Sequence, residues 1–123
     1  TIYDRDKIRL LDDALETLIS LRKIGLKLAL VSRTLKPKRR IKQIKDLGLN
    51  RYFDFIEVIE KGGTKEFTPI IHKFGFKPDE FLVVGDRPRA EIREGNILGM
   101  NTCRINYGPN KDEVPKNKNE KPK

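Results

Sequence analysis

The sequence FLVVGDRPRAEIREGNILGM, residues 81–100, gives the clearest indication of the fold. Its apolar start predicts a buried strand that ends at Gly85-Asp86, and a helix of about residues 89–98 is expected to follow. A glycine lets the backbone turn tightly, so we expect the Asp86 carboxylate to face away from the core. Glu91 adds a second acid five residues further on. This order of elements predicts a βα unit with a polar site at the end of its strand.

The rest of the chain alternates in the same way between helical and strand patterns. Parallel βα units, with helices on both faces of one sheet, are built from such an alternation. We therefore predict an α/β fold, a three-layer, doubly wound parallel sheet. Ligands of such sheets bind beyond the carboxyl ends of the strands. The patterns predict helices over 12–25, 37–48 and 65–75, and strands over 26–31, 55–60, 81–85 and 101–105.

Composition and charge restrict the possible partners. The chain of 123 residues has 27 Lys and Arg against 18 Asp and Glu, a net charge of +9, which favours anionic partners. Cys103 is the single cysteine, so an internal disulfide is excluded and a cytoplasmic location is expected. No apolar run approaches the roughly 20 residues of a membrane span, so no membrane partner is expected.

Three predicted strands end next to polar residues that suit a phosphoryl group and a hard metal ion. Ser32 follows the strand 26–31, Lys61 follows 55–60, and Asp86 follows 81–85. Carboxylate oxygens suit Mg²⁺, which keeps several waters. A lysine neutralises phosphate as a point charge, and a hydroxyl donates to phosphate oxygens.

Each of these signals also has an ordinary structural explanation. An acid at a strand end is often a helix N-cap, which would account for Asp86 alone. Glu91 alone would be a solvated helix residue and Ser32 alone a turn residue. Lys61 and Lys65 alone would be surface lysines. The order and spacing of the residues together favour the functional interpretation.

That order resembles the haloacid dehalogenase (HAD) superfamily of phosphohydrolases. LKLALVSRT (26–34) is similar to its second motif, an apolar strand ending in Ser or Thr. LVVGDRPRAEIREGNILGMNTCRI (82–105) is similar to its fourth motif, with Gly-Asp and a second acid after a strand. The resemblance covers about residues 10–107 and implies a Rossmann-like core. It also implies that Ser32 binds the phosphoryl group and that Asp86 holds Mg²⁺.

Two site residues are less directly matched to the family pattern. Glu91 stands where most relatives carry Asp, so the resemblance implies a metal-site role either directly, through water or through an orienting hydrogen bond. The third motif is a lysine ahead of the preceding helix. Counting back from FGFKP favours Lys61, and Lys65 at the helix start is the alternative.

The family's first motif, which carries the nucleophilic aspartate, has no clear match. Asp4-Arg5-Asp6 has the spacing, but only three residues precede it. We therefore expect residues 1–11 to be a linker that leads out of a cap domain, and that cap domain is expected to be missing from this chain. Residues 12–107 would be the HAD-like core and 108–123 an irregular polar tail. The sheet is expected to need a missing N-terminal segment that supplies its central strand.

The function predicted for the complete protein is Mg²⁺-dependent hydrolysis of a small phosphorylated metabolite, with this chain alone inactive. The alternative is a non-catalytic remnant of the fold or a basic interaction module. The segment 35–45 holds six cations, which form either the solvated face of a helix or a surface that steers anionic substrates. Nucleic acid is not an expected partner, because this segment has no aromatic residues for stacking. His72 is predicted at the surface and Cys103 in the core.

Overall fold

The computed structural model describes residues 13–60, 66–105 and 111–122. The chain divides into two compact units, 1–64 and 65–123. Several predictions fall outside the described residues: the linker 1–11 with Asp4 and Asp6, and both candidate lysines, Lys61 and Lys65. The domain division stays a prediction.

The first unit is built around a pair of parallel strands. Strand β1 (Ala29–Thr34) pairs in parallel with β2 (Phe55–Glu60), and Ser32 lies opposite Val58 in the register. Apolar packing comes from helix α2 (Pro37–Asp46), where Ile44 is buried, and from Leu49 in the short 3₁₀ helix that follows. Ile41 of the same helix is exposed. The elements are α1 (Ala14–Lys23), β1 (Ala29–Thr34), α2 (Pro37–Asp46), a 3₁₀ helix (Leu49–Tyr52) and β2 (Phe55–Glu60).

Strand β1 lies later in the sequence than the apolar run predicted. The run begins at Leu26, which is exposed, whereas the paired strand begins at Ala29. Asp54 fixes this start, because its Oδ2 accepts the Leu28 N–H at 2.9 Å and its own N–H donates to the Leu28 carbonyl at 2.7 Å. The strand ends at Thr34, so the predicted end at residue 31 is wrong and Ser32 lies inside β1.

The second unit also contains a pair of parallel strands. Strand β3 (Leu82–Gly85) pairs with β4 (Asn101–Arg104), and Gly85 lies opposite Arg104. Between them the chain forms a π-helical turn that continues directly into the short helix α4 (Arg93–Ile97). The elements are α3 (Thr68–Phe74), a 3₁₀ helix (Pro78–Glu80), β3 (Leu82–Gly85), the π turn (Pro88–Ile92), α4 (Arg93–Ile97), β4 (Asn101–Arg104) and a 3₁₀ helix (Lys118–Glu120).

The core of the second unit comes from α3 with its N-cap residue and from the β3–α4–β4 segment. Phe74 packs in a cluster with Phe76 and Phe81, with ring centroids 6.0–6.4 Å apart. His72 is exposed, as predicted. Cys103 is exposed too, so its prediction as a core residue is wrong. The buried apolar residues are Phe67, Ile70, Ile92 and Met100.

The position of Cys103 follows from the alternation along the strands. Its neighbour Thr102 is buried at 2% exposure and donates from Oγ1 to Asn96 Oδ1 at 2.8 Å. Successive side chains of a strand point to opposite faces. With Thr102 facing the helix, Cys103 lies on the other face, as do the exposed Leu82 and Val84 of β3. Among the described residues, no helix is long and apolar enough to cross a membrane.

Residues 111–122 pack against the rest of the second unit through polar contacts. Asn96 Nδ2 donates to the carbonyls of Asn119 at 2.7 Å and Lys121 at 2.6 Å. Glu120 is 2% exposed, and its Oε1 accepts the Lys116 N–H at 2.7 Å. One 3₁₀ turn is the regular structure described in this segment. Hydrogen bonds from side-chain and backbone groups therefore hold this segment in place.

Candidate functional site

Ser32 lies in β1, two residues before the end of the strand, and its side chain contacts helix α2. Arg40 Nη1 donates a hydrogen bond to Ser32 Oγ at 2.7 Å. Arg40 Nε also donates to Gln43 Oε1 at 3.3 Å, one turn further along the helix. Both Ser32 and Arg40 are half-buried. The predicted phosphate-binding hydroxyl is therefore held by a guanidinium group.

The loop that follows β3 is organised by Glu91. Its Oε1 accepts hydrogen bonds from the backbone N–H groups of Asp86, at 3.2 Å, and Arg87, at 3.4 Å. Glu91 is 6% exposed, whereas Asp86 is half-buried. A carboxylate that accepts backbone N–H groups fixes the conformation of the chain around it. Glu91 thus holds the loop that carries Asp86.

Gly85 is required by the close approach of this same glutamate. A Cβ at Gly85 would overlap Glu91 Cγ and would lie 2.6 Å from Oε1 and 2.7 Å from Cδ. Gly85 is not among the glycines with positive φ, so the tight turn given above as its reason is wrong. The glycine instead leaves space for the Glu91 side chain over the end of β3.

The Asp86 loop enters a π-helical turn, which the sequence patterns read as ordinary helix. The turn spans Pro88–Ile92, and the Ile92 N–H reaches back to the Arg87 carbonyl at 3.5 Å. Single π turns widen a helix locally and are frequent at functional sites. Here the turn carries Glu91, whose side chain reaches the loop before it.

Two arginines beside Asp86 are paired with acids from residues 111–122. Glu113 Oε2 accepts from Arg87 Nε at 3.2 Å, and Glu113 Oε1 accepts from the Arg89 backbone N–H at 3.2 Å. Arg89 Nε also lies 3.8 Å from Glu120 Oε1. Sequence patterns gave no signal for these pairs, since the partners are more than twenty residues apart.

The predicted site residues are brought together only in part. Asp86 and Glu91 share one loop, as described above. Ser32 belongs to the first unit and Asp86 to the second, and their meeting at one edge of the sheet stays a prediction. Sequence patterns do not single out Arg40, because it lies in the basic segment 35–45, which they explain as a solvated helix face or a surface that steers anionic substrates.

The residues of the Asp86 loop can be tested for their fit to Mg²⁺. Within residues 13–60, 66–105 and 111–122, no three His, Cys, Asp or Glu side chains are grouped to hold a metal ion. Mg²⁺ commonly keeps several waters and takes one or two carboxylates together with substrate phosphate. One half-buried carboxylate, Asp86, on a loop fixed by Glu91 fits that mode of binding.

The parallel strand pairs β1–β2 and β3–β4, with helices between their strands, define the protein as an α/β protein. Its candidate site residues lie at or near the ends of strands. Comparison with known proteins identifies the family within this class: residues 1–98 match the model for haloacid dehalogenase-like hydrolases. The chain belongs to this family.

Solved structures with the same fold confirm the predicted α/β class. A predicted phosphoglycolate phosphatase from Haemophilus somnus 129PT matches with a TM-score of 0.74 and 26% identity, over 97% of this chain and 54% of that one. The HAD-hydrolase YfnB from Bacillus subtilis, bound to magnesium, matches with a TM-score of 0.66 and 28% identity, over 87% of this chain and 50% of that one.

Curated relatives carry one shared description, glyceraldehyde 3-phosphate phosphatase. The protein from Methanopyrus kandleri is 36% identical over 115 residues, which cover 89% of this chain and 49% of the relative. The protein from Methanocaldococcus jannaschii is 33% identical over 118 residues, which cover 89% of this chain and 51% of the relative. The chain spans about half the length of these relatives.

Proposed function

We propose that the complete protein is a Mg²⁺-dependent phosphatase that hydrolyses a small phosphorylated metabolite. The observation that carries the proposal is the Asp86 loop, in which Glu91 Oε1 accepts the N–H groups of Asp86 and Arg87. Membership of the hydrolase family and the description of the curated relatives support it. A cytoplasmic location stays a prediction.

Each residue has a proposed role in this chemistry. Asp86 would hold Mg²⁺, and Glu91 would keep the loop in place. The ion, when bound, would neutralise charge on the phosphoryl oxygens. Electrostatic stabilisation of these oxygens in the transition state is a main source of catalysis in phosphoryl transfer. Ser32 would donate its hydroxyl proton to a phosphoryl oxygen, and Lys61 or Lys65 would add a positive charge. The nucleophile would come from a segment that precedes this core.

The test is release of inorganic phosphate by the complete protein, from glyceraldehyde 3-phosphate and from p-nitrophenyl phosphate, with and without Mg²⁺. We expect Asp86→Asn to lower the Mg²⁺-dependent rate by at least about a hundredfold, because a lost metal ligand removes several kcal/mol of transition-state stabilisation. Asp79→Asn is the matched control, since Asp79 is an exposed carboxylate in the same unit. Undiminished activity of the Asp86 variant would refute the metal assignment.

Two further measurements test the alternative named above and the expected inactivity of this chain alone. No turnover by the complete protein, with any phosphate monoester and Mg²⁺, would favour a non-catalytic module. The 123-residue chain alone is expected to be inactive, because the nucleophile is proposed to lie outside this core. Mg²⁺-dependent turnover by that chain would contradict this part of the proposal.

A further inference from the structure

The basic segment that follows β1 contains one cation whose contact differs from those of a solvated helix face. Arg40 Nη1 donates to Ser32 Oγ at 2.7 Å, across eight positions of sequence and from helix α2 to strand β1. Its Nε is anchored to Gln43 Oε1. Lys38 and Lys42 on the same helix are exposed, and Lys42 pairs with Asp46 at 3.3 Å within the helix. Arg40 is therefore placed by two side-chain contacts next to a predicted site residue.

The contact determines how the Ser32 hydroxyl can be used. An arginine side chain has several N–H donors and no acceptor, whereas a serine hydroxyl has one donor and two acceptor lone pairs. The Ser32 oxygen must therefore accept from Arg40, and its own proton points away from the guanidinium group. A hydroxyl oriented in this way is ready to donate to an anion. The arginine charge beside it also favours that anion electrostatically.

We propose that Arg40 is a positioning residue for phosphoryl binding: it orients the Ser32 hydroxyl as a donor and adds a fixed positive charge beside it. The inference rests on the proposed function, because it concerns the same phosphoryl site. It goes beyond the family pattern stated above, in which Ser32 and a lysine carry the phosphate contacts. Arginine is suited to the role because its planar, permanently charged fork is held rigidly by its hydrogen bonds.

The experiment measures the dissociation constant of inorganic phosphate for the complete protein by titration calorimetry at fixed ionic strength. Arg40→Gln should weaken phosphate binding by about tenfold or more, since a charge-assisted contact is lost. Lys38→Gln is the matched control, because it removes the same charge from an exposed position of the same helix. It should change the dissociation constant by less than about twofold. Equal effects of the two variants would reduce Arg40 to general electrostatic attraction and overturn the proposal.

A double-mutant cycle separates positioning from a purely structural role. If Arg40 acts through Ser32, then Ser32→Ala combined with Arg40→Gln should bind phosphate more tightly than the sum of the two single losses predicts. Independent, additive losses would contradict the orienting role. Arg40→Lys keeps the charge and a donor and should recover part of the affinity. If Arg40→Gln does not fold, Arg40→Lys is combined with Ser32→Ala instead. A double variant of this kind that binds phosphate as tightly as the unmodified protein would overturn the proposal.

Failure of this inference is distinguishable from failure of the proposed function. Phosphate binding that depends on Arg40, without turnover of any monoester, would leave the inference standing and refute the phosphatase proposal. Turnover with phosphate binding that is indifferent to Arg40 would do the reverse. A complete protein that does not bind phosphate at all would overturn the inference.

Discussion

Replacing Gly85 with alanine tests the central feature of the Asp86 loop, the packing of Glu91 over the end of β3. The new methyl group would overlap Glu91 Cγ and lie 2.6 Å from Oε1. Because Glu91 is only 6% exposed, its side chain can move away only by giving up its contacts with the Asp86 and Arg87 N–H groups. Overpacking of this kind costs about 1–3 kcal/mol, and lost hydrogen bonds to a charged group cost about 1.5–3 kcal/mol. The two estimates overlap in cause, so we expect a total of about 2–4 kcal/mol.

The assay is urea unfolding of the complete protein carrying Gly85→Ala, Glu91→Ala or both changes. Glu91→Ala removes the three atoms that lie nearest to the added methyl group at Gly85. We therefore expect the double variant to be less destabilised than the sum of the single variants by about 1–3 kcal/mol. Single losses that add to within about 0.5 kcal/mol would refute the packing argument.

Gly95 supplies a matched control for this cycle. A Cβ at Gly95 would lie 2.9 Å from Thr102 Cγ2 and 3.0 Å from Val83 Cγ2, the atoms nearest to it. Gly95→Ala is therefore also an overpacking change in the same unit, but its nearest neighbours do not include Glu91. Combined with Glu91→Ala, its loss should be additive. A coupling energy as large as that measured for Gly85→Ala would show that Glu91→Ala loosens the packing of the whole unit and does not act only at residue 85.

Two further predictions concern the carboxylates that hold irregular segments. The Leu28 N–H lowers the pKa of Asp54 below its ordinary value of 3.8, so stabilisation by this carboxylate is present above that value and is lost as the pH falls through the lower folded-state pKa. Asp54→Asn should therefore cost about 1–3 kcal/mol of unfolding free energy at pH 7 and clearly less at pH 2–3, and a difference independent of pH would contradict this. Glu120→Ala should cost about 1–3 kcal/mol in urea unfolding, because the Lys116 N–H would lose its acceptor, and a loss below about 0.5 kcal/mol would contradict the buried contact.

Local pattern was sufficient to predict the elements whose boundaries depend on their own residues. The strand predicted over 55–60 is β2, Phe55–Glu60, and the helix predicted over 37–48 contains α2, Pro37–Asp46, with proline in its first turn. The shift of β1 to Ala29–Thr34 could not be predicted in this way, because Asp54 and the pairing with β2 set it from more than twenty residues away. Apolar runs indicate that a strand exists, and its partners decide where it begins.

The candidate site follows the same division between local and distant causes. Asp86 could be predicted as a strand-end acid because an apolar run and a glycine precede it directly. The role of Glu91 could not, since a glutamate five residues further on predicts equally well a metal ligand or a residue that holds the loop. The longer side chain of glutamate, compared with aspartate, reaches back from a π turn to the Asp86 and Arg87 N–H groups, and that reach needs the space that Gly85 leaves. The glutamate at position 91 and the glycine at position 85 therefore form one structural feature. A larger residue at position 85 is expected to displace the Glu91 carboxylate, and a shorter acid at position 91 is expected to remove the need for glycine at position 85.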